Sequence, residues 1–97
     1  MPHLIITQEA IQDMARCRRF LNSKSPMLAR RADKVIDDAL KLLKTMPKMG
    51  RPYPNNPTFR ELIINFGGSG YLALYLYDQI NDAIHVLAFK HASEEDY

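Results

Sequence analysis

The last thirty-nine residues of the chain constrain its fold more than any other segment. In residues 61–66, large apolar side chains fall on every second position, which is the period of a β-strand with one face on a core. Residues 67–70 contain three glycines, and residues 71–77 are apolar or aromatic on both sides, which favours a buried strand over a helix. Residues 84–90 repeat this pattern. The three segments predict an antiparallel meander of three strands.

A short strand and a helix are predicted at the start of the chain. Residues 3–6 are mostly apolar and suit a strand, and Thr7 behind them is a residue type that caps helix N-termini. Glu9 places a negative charge in the first turn, where it suits the helix dipole. The first helix is therefore predicted over residues 8–21, with an apolar stripe formed by Ile11, Met14, Ala15 and Leu21.

A second helix is predicted directly after the first. Ser25 followed by Pro26 supplies an N-cap and a favoured first helical residue, and the helical period continues to about residue 46. Its apolar stripe is formed by Leu28, Ala32, Val35, Ala39, Leu42 and Met46, and is widened by Ile36, Leu40 and Leu43. Because only a few polar residues separate the two helices, we expect an antiparallel hairpin that packs its apolar stripes on the sheet.

The order of these elements predicts an α+β fold in a single domain spanning residues 1–97. It consists of an N-terminal strand, an antiparallel helix hairpin and a three-stranded antiparallel meander. Pro47 and the stretch 50–57, which is rich in Pro and Asn, are expected to form a loop that carries the chain to the meander. We expect the N-terminal strand to pair at the free edge of the sheet. Helices on one face then leave the other face open to a partner.

Composition limits the kinds of function that the chain can have. Cys17 is the only cysteine, so neither a disulfide nor a thiolate metal site is available, and His3 and His85 have no partner at metal-ligand spacing. We predict no metal site and no cofactor. No segment reaches the roughly 18 apolar residues of a membrane span, and residues 1–6 lack the basic start and the length of a signal peptide. These features predict a soluble cytoplasmic protein without a membrane partner.

Charge is distributed unevenly along the chain. Residues 1–60 carry twelve Lys or Arg against five Asp or Glu, whereas residues 61–97 carry one Lys against six acids. Seven of the cations lie within residues 16–34, where Asp33 is the only acid. Such a cluster suits either a solvated helix face or a surface for phosphates or for an acidic protein segment. We predict that four of its members contact an acidic segment of a partner: Arg16, Arg19, Arg30 and Arg31.

Several short motifs occur in an order that resembles a known family. They follow the β-α-α start and are Leu43 with Met46-Pro47, Gly50-Arg51-Pro52, Phe59-Arg60-Glu61-Leu62, Ser69-Gly70-Tyr71 with Leu74-Tyr75, and residues 84–91. With these motifs in this spacing, the chain resembles toxins of the RelE/ParE superfamily over essentially its whole length, and the ParE branch most. The resemblance implies a toxin of a bacterial type II toxin–antitoxin module, held inactive by a ParD- or RelB-like antitoxin encoded beside it.

Members of the superfamily have two different activities, and the first is catalytic. RelE-like members cut messenger RNA on the ribosome, which requires a base for the 2′-hydroxyl, an acid for the leaving oxygen and cations around the transition state. The candidates for these roles are Lys90, His91, Tyr97 and Arg60. Those members place an arginine after the Gly-Tyr of the middle strand, where this chain has Leu72. The acids at positions 94–96 also repel phosphate beside the last strand.

The second activity is directed at DNA gyrase. ParE-like members lack the basic site, and the resemblance implies that they block the religation of DNA by gyrase. The sequence favours this non-catalytic activity, with a ribosome-dependent ribonuclease and an inert remnant that only binds antitoxin as the alternatives. Arg51, Tyr71 and Tyr75 are candidates for contact with the target. Gly50-Arg51-Pro52 is a turn first and a contact second, and core packing accounts for the tyrosines equally well.

Overall fold

The structure, a computed structural model, describes residues 1–94 of the chain. These residues form the elements β1 (His3–Ile6), α1 (Gln8–Lys24), α2 (Pro26–Leu42), β2 (Arg51–Tyr53), β3 (Asn56–Phe66), β4 (Ser69–Asp78) and β5 (Ala83–His91). The prediction of an α+β fold with an N-terminal strand, a helix hairpin and an antiparallel meander is confirmed. Among the described residues, no helix has both the length and the hydropathy needed to cross a lipid bilayer.

The five strands form one mixed sheet in the order β1-β5-β4-β3-β2. β1 runs parallel to β5, with Leu4 opposite Ile84, and every other neighbouring pair is antiparallel. The N-terminal strand therefore pairs at the free edge of the meander, as predicted. Thr7 joins this edge to α1, since its hydroxyl donates to the Val86 carbonyl oxygen at 2.9 Å and accepts from the Ala10 amide at 3.3 Å.

The two helices begin and end where the local hydrogen bonding changes. The Ser25 amide donates to the last turn of α1, and the Ser25 hydroxyl accepts from the Leu28 amide at 3.2 Å to begin α2. α2 ends at Leu42, and the prediction that it continues to about residue 46 was wrong. The amides of residues 43–45 donate to carbonyls only three residues back, at 3.0–3.2 Å, and Pro47 disfavours a helical conformation at the residue before it.

The predicted apolar stripes of the helices are confirmed in part: Ala32, Ile36, Leu40 and Leu43 are buried, and the other stripe residues are partly or wholly exposed. In α1, Ile11 is 48% exposed, whereas Ala10 and Cys17 are buried. In α2, Leu28 and Leu42 are exposed, as is Met46 beyond the helix, so the predicted burial of these residues was wrong. The buried row of α2 is formed by Ala29, Ala32, Ile36 and Leu40. Mostly small side chains face the sheet because large ones from the strands fill the core, chiefly Tyr71, Tyr75 and Phe89.

β2 replaces part of the predicted loop. It pairs antiparallel with β3, with Arg51 opposite Glu61 and Pro52 opposite Arg60. Proline has no amide hydrogen to donate to a neighbouring strand, so a proline in a sequence argues against a strand. An edge strand such as β2 tolerates it, because one side of an edge strand has no neighbour. Residues 50–57 therefore belong to a hairpin that extends the meander, and the expectation of a simple loop was wrong.

The two faces of the sheet differ. The face beneath the helices carries the core residues Leu62, Ile64, Tyr71, Ala73, Tyr75, Ile84, Val86 and Phe89. The opposite face, called the open face below, carries the alternating residues of β3 and β4, among them Ile63, Leu72, Leu74 and Leu76. Ile63 is exposed and the three leucines are half-buried. The helices thus pack on one face alone, as expected from the element order.

Candidate functional site

Tyr75 and Arg60 lie opposite each other in β4 and β3 and hold the loop that precedes β2. The Tyr75 hydroxyl accepts from the Gly50 amide at 2.9 Å and donates to the Pro47 carbonyl oxygen at 2.8 Å. Arg60 Nη1 donates to the carbonyl oxygens of Gly50 at 2.7 Å and Lys48 at 3.3 Å. Burial raises the pKa of Tyr75, so the phenol keeps the proton that it donates. Both side chains are therefore bonded to this loop.

Gly50 is required for this arrangement. A Cβ atom at this position would lie 2.7 Å from the Tyr75 hydroxyl oxygen and 3.0 Å from the backbone oxygen of Glu61. Tyr75 is fully buried and its ring is held by the core, so it cannot move aside at low cost. Close packing against Tyr75 and the Glu61 backbone thus explains why the Gly50-Arg51-Pro52 motif begins with glycine.

Arg51 forms an ion pair with a buried carboxylate. Its Nε and Nη2 atoms donate to Glu61 Oε1 at 3.0 and 2.6 Å. The side chain of Glu61 is 5% exposed, whereas that of Arg51 is 56% exposed. A guanidinium that makes two charge-assisted bonds offsets the desolvation of the carboxylate and keeps an outward edge in solvent. Arg51 is thus accessible, whereas Tyr71 and Tyr75, the other candidates for target contact, are buried beneath the helices.

His91 ends β5 between two serine side chains. Its Nδ1 accepts from the Ser93 amide at 3.2 Å and lies 2.7 Å from the Ser93 hydroxyl oxygen, and its Nε2 lies 2.9 Å from the Ser69 hydroxyl oxygen. Because a backbone amide can only donate, the geometry suits the tautomer that is protonated at Nε2 and donates to Ser69. The ring also meets Tyr71 edge to face, at 5.5 Å between centroids. His91 is held by these contacts on the helix-covered side of the sheet.

The residues proposed for nuclease chemistry are not brought together. Lys90 lies opposite Leu72 on the open face, whereas Arg60 and His91 lie opposite Tyr75 and Tyr71 on the helix-covered face. Lys90 is 8% exposed, and its Nζ donates to the Glu94 carbonyl oxygen at 2.9 Å. Tyr97, the fourth candidate, lies outside the described residues.

Leu72 occupies the position where the RelE-like pattern has an arginine, and its neighbours are mostly apolar. Ile63 lies opposite it in β3, and Lys90 lies opposite it in β5. The next open-face positions along β4 are Leu74 and Leu76. This part of the open face is therefore mostly apolar, with the buried Lys90 on one side of Leu72 and the Arg51–Glu61 ion pair opposite Leu74.

The cationic cluster of the helices is exposed and partly neutralised. Arg16 pairs with Asp13 at 3.3 Å and with Glu94 at 2.8 Å, and Arg18 pairs with Asp33 across the hairpin at 2.8 Å. The other predicted partner contacts, Arg19, Arg30 and Arg31, form no ion pair within residues 1–94. The structure thus leaves three of the four predicted arginines available to external carboxylates.

A groove, called the tip groove below, lies at the closed end of the helix hairpin. It has a volume of about 800 Å³ and is bounded by the hairpin, the β3–β4 turn and the end of β5. Its walls include Arg16, Phe20, Leu21, Leu28, Arg31, Phe66, Tyr71, His91 and Glu94. The sequence reasoning missed this groove because its walls come from distant segments. The one signal was Phe20, an aromatic residue within a strongly cationic stretch.

The remaining titratable residues give little support for other chemistry. Burial raises the pKa of the Cys17 thiol, which disfavours the nucleophilic thiolate. Within residues 1–94, no group of three His, Cys, Asp or Glu side chains is placed to hold a metal ion.

Comparison with models of known protein families identifies the chain. The model described as ParE toxin of type II toxin-antitoxin system, parDE, matches residues 4–96. A comparison with curated proteins gave no match. The family match covers both helices and the complete meander, and the fold agrees with the RelE/ParE type. The chain therefore belongs to the ParE toxin family of type II toxin–antitoxin systems.

Proposed function

We propose that the chain inhibits bacterial growth by poisoning DNA gyrase, and that it acts by binding rather than by catalysis. The observation that carries this proposal is the separation of Lys90 from Arg60 and His91 on opposite faces of the sheet. Cleavage of a phosphodiester requires cations and proton-transfer groups around one phosphorus atom. Leu72, with Ile63 beside it, supplies apolar surface at the position where the nuclease pattern requires a guanidinium.

The bonding of the candidate groups supports the same proposal. Arg60 donates to two backbone carbonyl oxygens, and Lys90 donates to a third. A cation that stabilises a transition state must direct its donors at the reacting phosphate, so recruiting either residue would break these contacts. A ribosome-dependent ribonuclease remains the second candidate and is an outcome of the test below.

The target is tested by offering the purified chain two substrates. In one reaction, gyrase acts on supercoiled plasmid in the presence of the chain, and we expect broken DNA to accumulate. In the other, ribosomes carry a defined messenger RNA, and we expect no cleavage at codon positions. Cleavage of the message without damage to the plasmid would show that the ribonuclease alternative is correct.

Two variants make this test independent of the choice of substrate. His91→Gln and Tyr97→Phe remove the proton-transfer groups with small changes of shape, and the growth inhibition that each variant causes when it is produced in bacteria should stay within about twofold of wild type. A general acid or base contributes about 10²–10⁴-fold to a rate, so a catalytic role would give a far larger loss. Circular dichroism of both variants confirms that they remain folded.

We further propose that an acidic antitoxin segment neutralises the chain by binding to the arginine cluster, in the cytoplasm where gyrase acts. The exposure of Arg19, Arg30 and Arg31, together with the absence of ion pairs to them within residues 1–94, supports this proposal. Complementary charge mainly accelerates association, and it does so most at low salt.

Charge reversal tests the antitoxin proposal. Changing Arg19, Arg30 and Arg31 to Glu should slow association with the antitoxin encoded beside the chain by about tenfold or more at low salt, and by less at high salt. Changing Lys41, Lys44 and Lys48 to Glu alters the net charge equally and is the matched control. Equal slowing in both triple variants would mean that the total charge, and not the cluster, directs association.

A further inference from the structure

We propose that the open face of the sheet contacts the target, and that its partner there is a protein surface with one carboxylate among apolar side chains. This assignment rests on the proposed function, so the target is gyrase. It places the contact on the gyrase protein itself and not on the DNA that gyrase holds. The helices, which carry the arginine cluster, lie on the other side of the sheet.

The open face presents three rows of side chains that stand opposite each other across the strands. The first row contains Ile63, Leu72 and Lys90, the second contains Arg51, Glu61, Leu74 and Ala88, and the third contains Leu76, His85 and Ile5. Ile63 and Ile5 are 51% and 43% exposed, and the three leucines are half-buried. Both helices pack on the other face, so within residues 1–94 these apolar side chains have no covering layer. Contiguous apolar surface of this kind is characteristic of interaction sites.

A buried carboxylate lies in the second row. Glu61 stands between Arg51 of β2 and Leu74 of β4, and its side chain is almost inaccessible to solvent. A buried ion pair contributes little to stability, because the desolvation of the charges offsets their attraction. It does fix the position of the guanidinium, since Nε and Nη2 of Arg51 both donate to Glu61 Oε1. Glu61 is therefore a positioning residue for Arg51.

The guanidinium of Arg51 has a second edge that faces solvent. More than half of the side chain is exposed, and its Nη1 atom makes no hydrogen bond within residues 1–94. Because the N–H groups of a guanidinium point along separate edges, Nη1 can bind a second carboxylate while Glu61 keeps the first. A side chain that is already held in place loses little entropy on binding. Arginine beside apolar surface is also a common source of binding energy in protein interfaces.

The charges of the open face favour a protein over a nucleic acid. Arg51 is the one exposed Lys or Arg in the three rows, and Glu61 balances its charge, whereas Lys90 is buried. Nucleic acids and anionic lipids bind best where several cations neutralise their phosphates. Single strands also stack their bases on aromatic rings, and the three rows contain no Phe, Tyr or Trp. One carboxylate within an apolar protein surface matches both the guanidinium edge and the rows beside it.

The first experiment measures binding of the full chain to immobilised gyrase without DNA, by surface plasmon resonance. We expect the chain to bind. Raising the salt concentration from about 50 to about 200 mM should weaken binding less than about tenfold, because one exposed charge is involved. Contacts to many phosphates would instead cost about 10³–10⁵-fold over the same range.

Two isoleucine variants test the apolar rows. Ile63→Lys places a charge in the first row and should weaken binding to gyrase about tenfold or more. Ile80→Lys makes the same change at a residue that is 96% exposed in the β4–β5 turn, outside the three rows, and should change the affinity less than about twofold. Thermal unfolding followed by circular dichroism checks that both variants are folded.

Three further variants test the guanidinium and the residue that positions it. Arg51→Lys keeps the charge but removes the fork of donors, and it should weaken binding about fivefold. Arg18→Lys makes the same change on α1 and should have less than about a twofold effect. Glu61→Gln should weaken binding about fivefold in the wild-type chain, and much less once Arg51 is Lys. A purely structural role of Glu61 would give the same loss in both backgrounds.

The outcomes separate this assignment from the proposed function. If the wild-type chain binds gyrase and breaks plasmid DNA, and Ile63→Lys does both equally well, the proposed function stands and the open face is not the contact. Binding that requires DNA and falls steeply with salt would assign the contact to phosphates. If the wild-type chain neither binds gyrase nor breaks plasmid DNA, the proposed function is wrong and the assignment falls with it.

Discussion

Changing Gly70 to alanine is expected to remove a large share of the free energy that stabilises the fold. Gly70 begins β4 with a φ of +154°, and a Cβ atom there would overlap the backbone carbonyl oxygen of Ile64 and lie 3.2 Å from Asn65 Cα. Both neighbours are backbone atoms of the adjacent strand, so no side-chain movement relieves the clash. Strain of this kind costs about 3 kcal/mol or more, a large share of the roughly 5–15 kcal/mol that stabilises a domain.

The measurement is urea unfolding followed by circular dichroism, with Gly68→Ala as the matched control. A Cβ atom at Gly68 would meet nothing within 4 Å, so this variant should differ from wild type by less than about 0.5 kcal/mol. If Gly70→Ala is as stable as Gly68→Ala, the close approach of β3 and β4 described above is incorrect.

Phe89→Ala is expected to destabilise the fold by about 3–5 kcal/mol, the usual cost of removing a buried phenyl ring. Phe89 is fully buried in the core cluster and stacks on Tyr71 with 5.3 Å between ring centroids. Its amide also donates to Asp13 of α1 at 3.1 Å, so the residue lies where the first helix meets the last strand. The cavity left by the substitution would lie directly beneath that contact.

Phe20→Ala is the control for this substitution, because it removes the same ring from an exposed position in the same chain. We expect its free energy of unfolding to change by less than about 0.5 kcal/mol in the same urea titration. A loss in Phe20→Ala that matches the loss in Phe89→Ala would mean that Phe20 packs into the core and does not line an open groove.

Much of the fold can be predicted from sequence because local patterns specify it. Thr7 and Ser25 mark the helix starts, and the alternation in residues 61–66 and 84–90 marks two of the strands. The errors occur where a tertiary contact overrides the local pattern. β2 contains Pro52 and becomes a strand because β3 offers a partner, and α2 stops at Leu42 although apolar residues continue beyond it.

The candidate site is less predictable for the same reason. The arginine cluster is visible in the sequence because its members are close together in the chain. The pairing of Arg16 with Glu94 joins residues 78 positions apart, and no sequence pattern indicates it. Sequence likewise cannot show that Arg60 bonds to the carbonyl oxygens of Lys48 and Gly50, which makes a candidate catalytic residue part of the loop structure.

The parallel pairing of β1 with β5 has a consequence for how the protein folds during synthesis. Thr7 donates to Val86, a residue 79 positions later, and Asp13 accepts from Phe89, so the first strand and the first helix attach to the last strand to be made. Contacts of such long sequence separation slow folding, because the whole intervening chain must be ordered before they form. The nascent toxin therefore cannot complete its core until β5 has left the ribosome.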